Sequence, residues 1–501
     1  MDLYRYRSIK SAIRDIESGA FHFASKEELN DPMESYVSVY WKGDEAAWEG
    51  LFRNYICSCF YAIETYLLGQ GEKVLWNETL LIDINAFNKW PIGRSFRTVG
   101  DTLLADGDII RIVSVYGKNE LKCSSKELHL ILLFVHIKVL NICLDCFEKD
   151  GLIPKEEAYS ILKRLNVRDL PQFPFENIKG FESDEKRWEF AIGTDNYIND
   201  IMELNMVNYG INKPGFVYGK EINEDDNIKR ARQHRNWISL AVDFPKMYIS
   251  QLKNMIYPSA YYVCFSGKND DSAMWGNYAD QHRGVCLVYE AIYDEGKQNA
   301  GYYQEGAAIN PQKVVYGAEM IERNFFESFG RLTISQIQTW LTGKDGQLSK
   351  CYNVVQDEES IIEWRNKYRE VYMAKIYRKM KEWSYEDEYR IHIENGLYEY
   401  EENDKNDEDG ENVSRVSSNQ AKRSRNIKYD KKLLKGVIFG IKTSENDKVN
   451  IVKALSSIDR LDNIEFYQAD YDELKQKVVV RKKGGLWAKE DKKSLERASN
   501  S

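Results

Sequence analysis

The sequence lacks most of the short motifs that identify an enzyme class. It has no Walker phosphate-binding loop, no G-x-G-x-x-G fingerprint, no H-E-x-x-H zinc motif and no internal repeat. Its eight cysteines in 501 residues do not make a disulfide framework. Cys57-x-Cys59 and Cys143-x-x-Cys146 have no further pair at zinc spacing. We therefore interpret these cysteines as core residues and look elsewhere for the chemistry.

An excess of positive charge is also absent. The formal net charge is −9 and the pI is near 5.5, which argues against a surface dominated by non-specific nucleic-acid binding. The N-terminus has no basic-then-apolar signal segment. The most apolar run, Leu128 to Phe147, is interrupted by His129, Lys138 and Asp145, which favours a buried helix over a membrane span. We expect a cytoplasmic protein with no membrane partner.

The segment 261–290 has the clearest pattern in the chain. Aromatic and β-branched residues predict a strand over Tyr261–Ser266, and Val285–Tyr289 predicts a second buried strand. Between them, apolar spacing predicts a helix that ends near His282, with Gly284 following it in a left-handed conformation. Ser266 would lie at the opening where the helix leaves the first strand.

The N-terminus predicts another part of the same core. Leu3–Arg7 is typical of a strand, Ile9–Glu17 of a helix and Phe21–Ala24 of a second strand. The turn formers Asn-Asp-Pro follow, and they place Asp31 and Glu34 close together.

These patterns predict an α+β fold, with a compact mixed or antiparallel sheet core and a large helical insertion. In the insertion we expect helices at 46–66, 125–149, 155–165, 184–207 and 226–252, and a strand over Asp108–Tyr116. The predicted division is 1–40 and 257–400 for two parts of the core, 41–256 for the insertion, 401–428 for a low-complexity linker, 429–475 for a final strand-helix-strand and 476–501 for a basic tail.

The segment Trp383–Ile393 carries charged residues at alternate positions 386, 388 and 390. If it is a strand, Glu386, Glu388 and Arg390 point to one face of the sheet. Two carboxylates and a guanidinium would then share a surface. A row of charged side chains on one strand is more often a solvated surface than a functional site. Its interpretation as a site therefore depends on the other motifs.

Four of these segments together resemble a bacterial family known as domain of unknown function 2971. They are Leu3–Ser8, Phe23–Glu34, Cys264–Cys286 with its Met274-Trp275-x-x-Tyr278-Ala279-x-x-His282-x-Gly284 pattern, and Trp383–Arg390. The strand Gly436–Gly440 also fits the family. The family name implies no activity.

The chain also resembles ADP-ribosyltransferase folds of the arginine-first class, in which an Arg, a Ser and a Glu-x-Glu pair follow one another along the chain. This resemblance implies NAD as cofactor, bound by Arg5 or Arg7, and it implies Ser266, Glu386 and Glu388 as catalytic residues. Glu388 would stabilise the positive charge that builds on the ribose, and Glu386 would orient or deprotonate an acceptor. A ring such as Trp275 or Tyr278 would stack on the nicotinamide, although both are more often core residues at such spacing. A toxin or phage-defence effector is the role that accompanies such folds, and the acceptor is a protein or a nucleic acid.

Two other functions fit the same residues. A metal-dependent nuclease or phosphodiesterase would bind Mg²⁺ with carboxylates from two segments and use a lysine such as Lys381; those carboxylates are Asp31, Glu34, Glu386 and Glu388. A non-catalytic binding or sensor module would act through residues 41–256, by binding a partner protein or by self-association. A core whose open end is plugged by side chains would favour this last function.

Overall fold

The computed structural model describes residues 1–31, 33–69, 93–151, 181, 183–208, 236, 239–292, 301–355, 357–394, 423–458 and 461–483. The chain divides into two compact units. The first, here called the sheet unit, comprises residues 1–36, 258–321 and 371–501. The second, the helical unit, comprises residues 37–257 and 322–370. Residues 322–370 thus group with the helical unit, whereas the sequence pattern placed them in the core.

Fourteen strands are present in the described residues. They are β1 (Asp2–Arg7), β2 (Ala20–His22), β3 (Val37–Tyr40), β4 (Ala260–Ser266), β5 (Val285–Glu290), β6 (Gln312–Lys313), β7 (Val315–Tyr316), β8 (Ile321–Asn324), β9 (Arg378–Lys379), β10 (Glu388–Glu394), β11 (Asn426–Lys428), β12 (Leu434–Phe439), β13 (Glu465–Asp472) and β14 (Lys477–Lys482). The described helices are α1 (Ile9–Ser18), α2 (Glu45–Leu68), α3 (Gly93–Leu104), α4 (Gly107–Lys118), α5 (Ser125–Lys149), α6 (Asp184–Asn208), α7 (Phe244–Ile256), α8 (Ser272–Tyr278), α9 (Ile334–Leu341), α10 (Glu358–Ile376) and α11 (Glu445–Ser457).

The sheet unit is built on an eight-stranded mixed sheet with the order β14-β13-β12-β5-β1-β4-β10-β6. Most neighbours are antiparallel, and β12 and β13 form a parallel pair joined by α11. The first strand of the chain lies between β4 and β5, so the two strands joined by α8 are not neighbours. The structure confirms the predicted α+β class with a mixed sheet.

The two faces of this sheet have different coverings. On one face, called here the core face, β-strand residues such as Leu3, Phe265 and Leu287 pack with Ile16 of α1 and Leu455 of α11. On the other face, called the α8 face, a smaller apolar cluster is formed by Tyr6, Met274, Trp275, Ala279, Cys286, Val288, Ile438, Ala469 and Val478. Successive residues of a strand alternate between these two faces.

The end of α8 differs from the prediction. This helix begins at the Asp271 cap and ends at Tyr278 instead of near His282. Three residues in succession, Asp280, Gln281 and His282, take left-handed backbone conformations with φ of 47°, 54° and 69°. Gly284 is required for another reason, because a Cβ there would lie 2.1 Å from the carbonyl oxygen of Arg7. Glycine is needed at position 284 because two backbone segments approach each other closely, and not because the turn is left-handed.

The helical unit contains α2 to α7, α9 and most of α10. The predicted helices at 46–66, 125–149 and 184–207 are present as α2, α5 and α6. The predicted strand over Asp108–Tyr116 is wrong, since α4 occupies it: Asp106 caps this helix, and Ile109, Ile112 and Tyr116 line its buried side at helical spacing. The predicted helix at 155–165 lies outside the described residues. Of the predicted helix at 226–252, residues 226–235, 237 and 238 lie outside them, and α7 confirms the helix from Phe244 onward. Of the described helices, α5 is long and apolar enough to cross a membrane, and 61% of its most apolar window is buried within the fold.

The C-terminal segments also differ in part from the prediction. Lys477–Lys482, assigned by sequence to a basic tail, pairs with β13 as the edge strand β14. Asn426–Lys428, at the end of the predicted linker, pairs with β2 as β11. Residues 401–422 of that linker lie outside the described residues.

Candidate functional site

Five charged side chains meet on the α8 face of the sheet unit, and we call them the charge cluster. They are Glu34, Lys379, Glu386, Glu388 and Arg390. All are buried, with side-chain exposures of 0 to 6%. Three carboxylates therefore share two cations, which leaves one unbalanced negative charge inside the protein.

Lys379 is the centre of the cluster. Its Nζ atom lies 2.6 Å from Glu386 Oε2, 3.2 Å from Glu388 Oε2 and 3.4 Å from Glu34 Oε2. The ammonium group has three protons and so can donate to all three carboxylates. The same Nζ lies 5.1 Å from the ring centre of Trp383.

Arg390 joins two of the same carboxylates from the sheet side. Its Nε and Nη2 atoms donate to Glu388 Oε1 at 2.9 and 2.6 Å, and Nη2 also contacts Glu34. Its Nη1 donates to the carbonyl oxygen of Ile376 at 2.6 Å. This guanidinium is fully buried, and its bonding positions fix Glu34 and Glu388 relative to each other.

Local backbone conformation brings the two carboxylates of the Glu-x-Glu pair to one place. Lys381–Glu386 forms a short 3₁₀ helix, so the strand considered for Trp383–Ile393 is present only from Glu388, where β10 begins. Between them, Asp387 takes a left-handed conformation with φ of 44°. Ser266 Oγ donates to the carbonyl oxygen of Glu386 at 2.7 Å and holds this turn against β4.

The turn after β2 supplies the third carboxylate. Asp31 accepts from the backbone N–H of Met33 at 2.9 Å, and the Glu34 N–H donates to the Asp31 carbonyl at 3.0 Å. Ser35 follows with φ of 56°, and its hydroxyl lies 2.9 Å from that of Tyr262 on β4. These hydrogen bonds hold the turn in a conformation that points the Glu34 side chain toward the charge cluster.

The environment separates the pKa values of the two paired carboxylates. Burial raises the pKa of Glu386, and the lowering effect of Lys379 does not cancel it. Burial also acts to raise the pKa of Glu388, but Arg390 and Lys379 outweigh it, so that pKa is lowered. Burial works against the charged form of Lys379, but Glu388, Glu34 and Glu386 raise its pKa well above the usual range. Glu388 is therefore held ionised, and Glu386 is the member of the pair that takes up a proton more readily.

Partly exposed aromatic residues surround the cluster. Tyr278 at the end of α8 donates its hydroxyl to Glu386 Oε1 at 2.5 Å. Tyr316 on β7 accepts from the backbone N–H of Glu388 at 2.8 Å. Trp383 and Tyr385 lie in the 3₁₀ helix with ring centres 6.2 Å apart. These four rings give planar apolar surface next to buried carboxylates.

The sheet register decides which of the predicted residues meet. Tyr4 of β1 pairs with Ser266 of β4, and Ser266 pairs with Glu388 of β10, so these three side chains share the α8 face. Arg5 and Arg7 alternate with Tyr4 and point to the core face, where both contact Asp15 of α1. Ser266, Glu386 and Glu388 are therefore together, and Arg5 and Arg7 do not share their site.

The other predicted residues have separate outcomes. Trp275 is completely buried in the apolar cluster, where its Nε1 donates to the carbonyl oxygen of Asn269, so it has no free face for a cofactor. Tyr278 is in the site. Glu34 joins Glu386 and Glu388 as the nuclease alternative requires, but Lys379 and Arg390 pair with these carboxylates and offset two of their three negative charges. Within the described ranges, no group of three His, Cys, Asp or Glu side chains has an arrangement that could hold a metal ion.

Residues 274–391 match the family described as Protein of unknown function (DUF2971). No curated protein and no solved structure matches the chain. The DUF2971 segment contains the whole charge cluster except Glu34, together with Tyr278 and Tyr316. The resemblance predicted from the sequence is confirmed for this segment.

Two members of the candidate site were not predicted from the sequence. Lys379 follows a helix and lies in no apolar pattern, so nothing local indicates that it is buried. Tyr316 belongs to none of the motifs that indicated a site. The proximity of both to Glu388 arises from β7 and β9, which pair in parallel with Tyr316 opposite Lys379. A two-residue pairing of this kind leaves almost no periodic signal in a sequence.

Proposed function

We propose that the sheet unit cleaves the bond between nicotinamide and ribose in NAD and transfers ADP-ribose to an acceptor. One observation carries the proposal: Glu386 and Glu388, with opposite pKa shifts, are held on one lysine beside partly exposed aromatic rings. A pair of carboxylates whose environments separate their pKa values is the usual arrangement for cleaving a glycosidic bond.

Glu388 suits the role of charge stabiliser. Cleavage builds positive charge on the ribose, and a fixed carboxylate in a site that excludes water lowers the energy of that state. Arg390 and Lys379 keep Glu388 ionised and immobile. Its orientation is therefore set before substrate binds, which is the condition for electrostatic catalysis.

Glu386 suits the role of proton acceptor. A general base works best when its pKa lies near the operating pH, and burial moves the pKa of Glu386 in that direction. Tyr278 and Lys379 each bond one of its oxygens and so orient the carboxylate. The acceptor nucleophile would give its proton to this group as it attacks the ribose.

The proposal keeps some of the expected roles and changes others. Ser266 positions the turn that carries Glu386, since its hydroxyl bonds the backbone there. Tyr278 is the ring that remains available to stack on nicotinamide, while Trp275 is in the core. Arg5 and Arg7 have no part in the proposed site. The pairing of Ser266 on β4 with Glu388 on the adjacent β10 supports an ADP-ribosyltransferase-like arrangement. A bacterial cytoplasmic toxin or phage-defence effector is the role we propose for it.

The test is incubation of purified protein with NAD labelled in the adenylate, with and without cell lysate. The wild-type protein should release nicotinamide and transfer label, and Glu388→Gln, which keeps the shape and removes the charge, should lose both. A matched control is Glu465→Gln, an exposed glutamate on β13 that is paired with Lys482, and it should behave as wild type. Equal turnover in wild type and Glu388→Gln would refute the assignment.

A second candidate function is a non-catalytic sensor, and the internal pairing of the cluster's charges favours it. Glu34 contacts both Lys379 and Arg390, so the end of the sheet is filled by the protein's own side chains. Such a centre would serve as a structural plug while the helical unit binds the partner. Absence of turnover, together with capture of a partner protein by the full chain that is unchanged in Glu388→Gln, would select this function.

A further inference from the structure

We propose that the Tyr316 hydroxyl donates a hydrogen bond to a ribose hydroxyl of the substrate, and so acts as a binding residue beside Glu386 and Glu388. The inference rests on the proposed function and adds the sugar contact to it. Neither the sequence pattern nor the Glu-x-Glu pair indicates a role for Tyr316.

Tyr316 is tied to the charge cluster by its backbone. It pairs with Lys379 across the parallel β7–β9 ladder. Two residues earlier, the N–H of Val314 donates to the carbonyl oxygen of Glu388 at 2.9 Å. The backbone that carries the Tyr316 ring is therefore fixed relative to both Lys379 and Glu388. No loop movement is needed to bring the Tyr316 hydroxyl to the site.

The bonding of the hydroxyl leaves its proton unused. A tyrosine hydroxyl has one proton to donate and lone pairs to accept. The Tyr316 oxygen accepts from the Glu388 N–H at 2.8 Å, and no atom of the described chain accepts its proton. Burial, reinforced by the charges of Glu388 and Glu386, raises the pKa of Tyr316, so the hydroxyl keeps that proton. The result is a fixed donor on a residue that remains partly exposed.

The acceptor capacity next to it is also incomplete. A carboxylate offers about four lone-pair positions. At Glu386, the contacts with Tyr278 and Lys379 use two of them, one on each oxygen. A sugar hydroxyl that donates to Glu386 and accepts from Tyr316 would satisfy both groups. A donor and an acceptor in one cluster thus suit the diol of ribose, whereas a phosphate, which only accepts, would be repelled by the carboxylates.

The first test uses variants that separate the donor from the acceptor role of Tyr316. Tyr316→Phe removes the hydroxyl, and O-methyltyrosine at the same position keeps an oxygen that can accept from the Glu388 N–H. Both should lower kcat/KM for nicotinamide release about tenfold, the value of one hydrogen bond. Tyr467→Phe, which removes an exposed hydroxyl that donates to Glu465 on β13, is the matched control and should leave kcat/KM unchanged.

The second test identifies the partner on the substrate. With an NAD analogue that lacks the 2′-hydroxyl of the nicotinamide ribose, Tyr316→Phe should cause no further loss, because the bond is already missing. An equal tenfold loss with NAD and with the analogue would overturn the ribose assignment. If Tyr316→Phe lowers kcat/KM but the O-methyltyrosine variant keeps full activity, the effect comes from the lost hydrogen bond of the Glu388 N–H. That result would also overturn the ribose assignment.

The outcomes separate this inference from the function on which it rests. Turnover by wild type that is abolished by Glu388→Gln but unaffected by both Tyr316 variants rejects the inference alone. No turnover by wild type rejects the proposed function, and the inference falls with it.

Discussion

The charge balance of the cluster makes a strong prediction about stability. Lys379→Met keeps the length and the apolar stem of the side chain and removes the one cation that contacts Glu34, Glu386 and Glu388. Three buried carboxylates would then face Arg390 alone. Glu34→Gln changes the balance in the other direction, since it removes the unbalanced negative charge and leaves two cations with two carboxylates.

The expected magnitudes differ accordingly. Removing one partner from a buried ion pair costs about 3–5 kcal/mol, because the remaining charge is left without compensation. The side chains are at most 6% exposed, so solvent screening does not reduce this value for Lys379→Met. Glu34→Gln loses charge-assisted bonds but makes the cluster neutral, and its cost should be about 1 kcal/mol. The control Lys482→Met breaks a pair in which both side chains are more than half exposed, which contributes at most about 1 kcal/mol.

Hydrogen exchange followed by mass spectrometry is the suitable assay, since it reports stability locally in a chain of two units. Amides of β4 and β10 should exchange about 100-fold faster or more in Lys379→Met, because each tenfold corresponds to about 1.4 kcal/mol. In Glu34→Gln and Lys482→Met the change should be about tenfold or less. Equal acceleration by Lys379→Met and Glu34→Gln would refute the reasoning, because it would mean that the sign of the unbalanced charge is irrelevant.

Three further predictions concern pH and backbone. The raised pKa of Glu386 means that the native state binds its proton more tightly than the unfolded state does, so stability falls as pH rises from the ordinary glutamate pKa through the raised one. Glu386→Gln should abolish that fall in urea-unfolding midpoints measured from pH 4 to 8, and an unchanged slope would contradict the shift. Gly284→Ala should destabilise by more than about 2 kcal/mol because its Cβ would lie 2.1 Å from the Arg7 carbonyl oxygen. In contrast, Gly276→Ala, which meets no described atom within 4 Å, should stabilise α8 by up to about 1 kcal/mol; equal melting temperatures for the two variants would refute the contact. Gln281→Gly should raise the unfolding free energy by about 1 kcal/mol by relieving a left-handed conformation, and a lower melting temperature would show that the side chain has another role.

Local structure was largely predictable from the sequence because its signals are local. The Ser8 cap and the left-handed Gly19 set the ends of α1, and the apolar runs of β1, β4, β5 and β12 are present as expected. Asp108–Tyr116 was misread because β-branched residues at helical spacing can satisfy either period over a short segment. In the structure, the Asp106 side chain caps a helix by accepting hydrogen bonds from the backbone N–H groups of Asp108 and Ile109. This cap depends on backbone geometry rather than on composition.

The membership of the candidate site depended on the tertiary structure. Glu386 and Glu388 could be paired from their spacing, and Glu34 was expected near another carboxylate from its turn. Lys379 could not be found, because a lysine becomes buried only where carboxylates are brought to it. Here a 3₁₀ helix folds Glu386 and Glu388 back onto Lys379, and Glu34 comes from a distant segment of the chain.

The sequence by itself determined which residues alternate along each strand, and therefore that Arg5 and Arg7 share one face and Glu388 and Arg390 share one face. Whether these two faces are the same depends on the register between β1, β4 and β10. That register pairs Tyr4 with Ser266 and Ser266 with Glu388, and it puts the arginines of β1 on the opposite side. A shift of one residue would have reversed the result, since the period of a strand is two. Packing of the core face against α1 and α11 fixes the register, and only the folded chain contains that information.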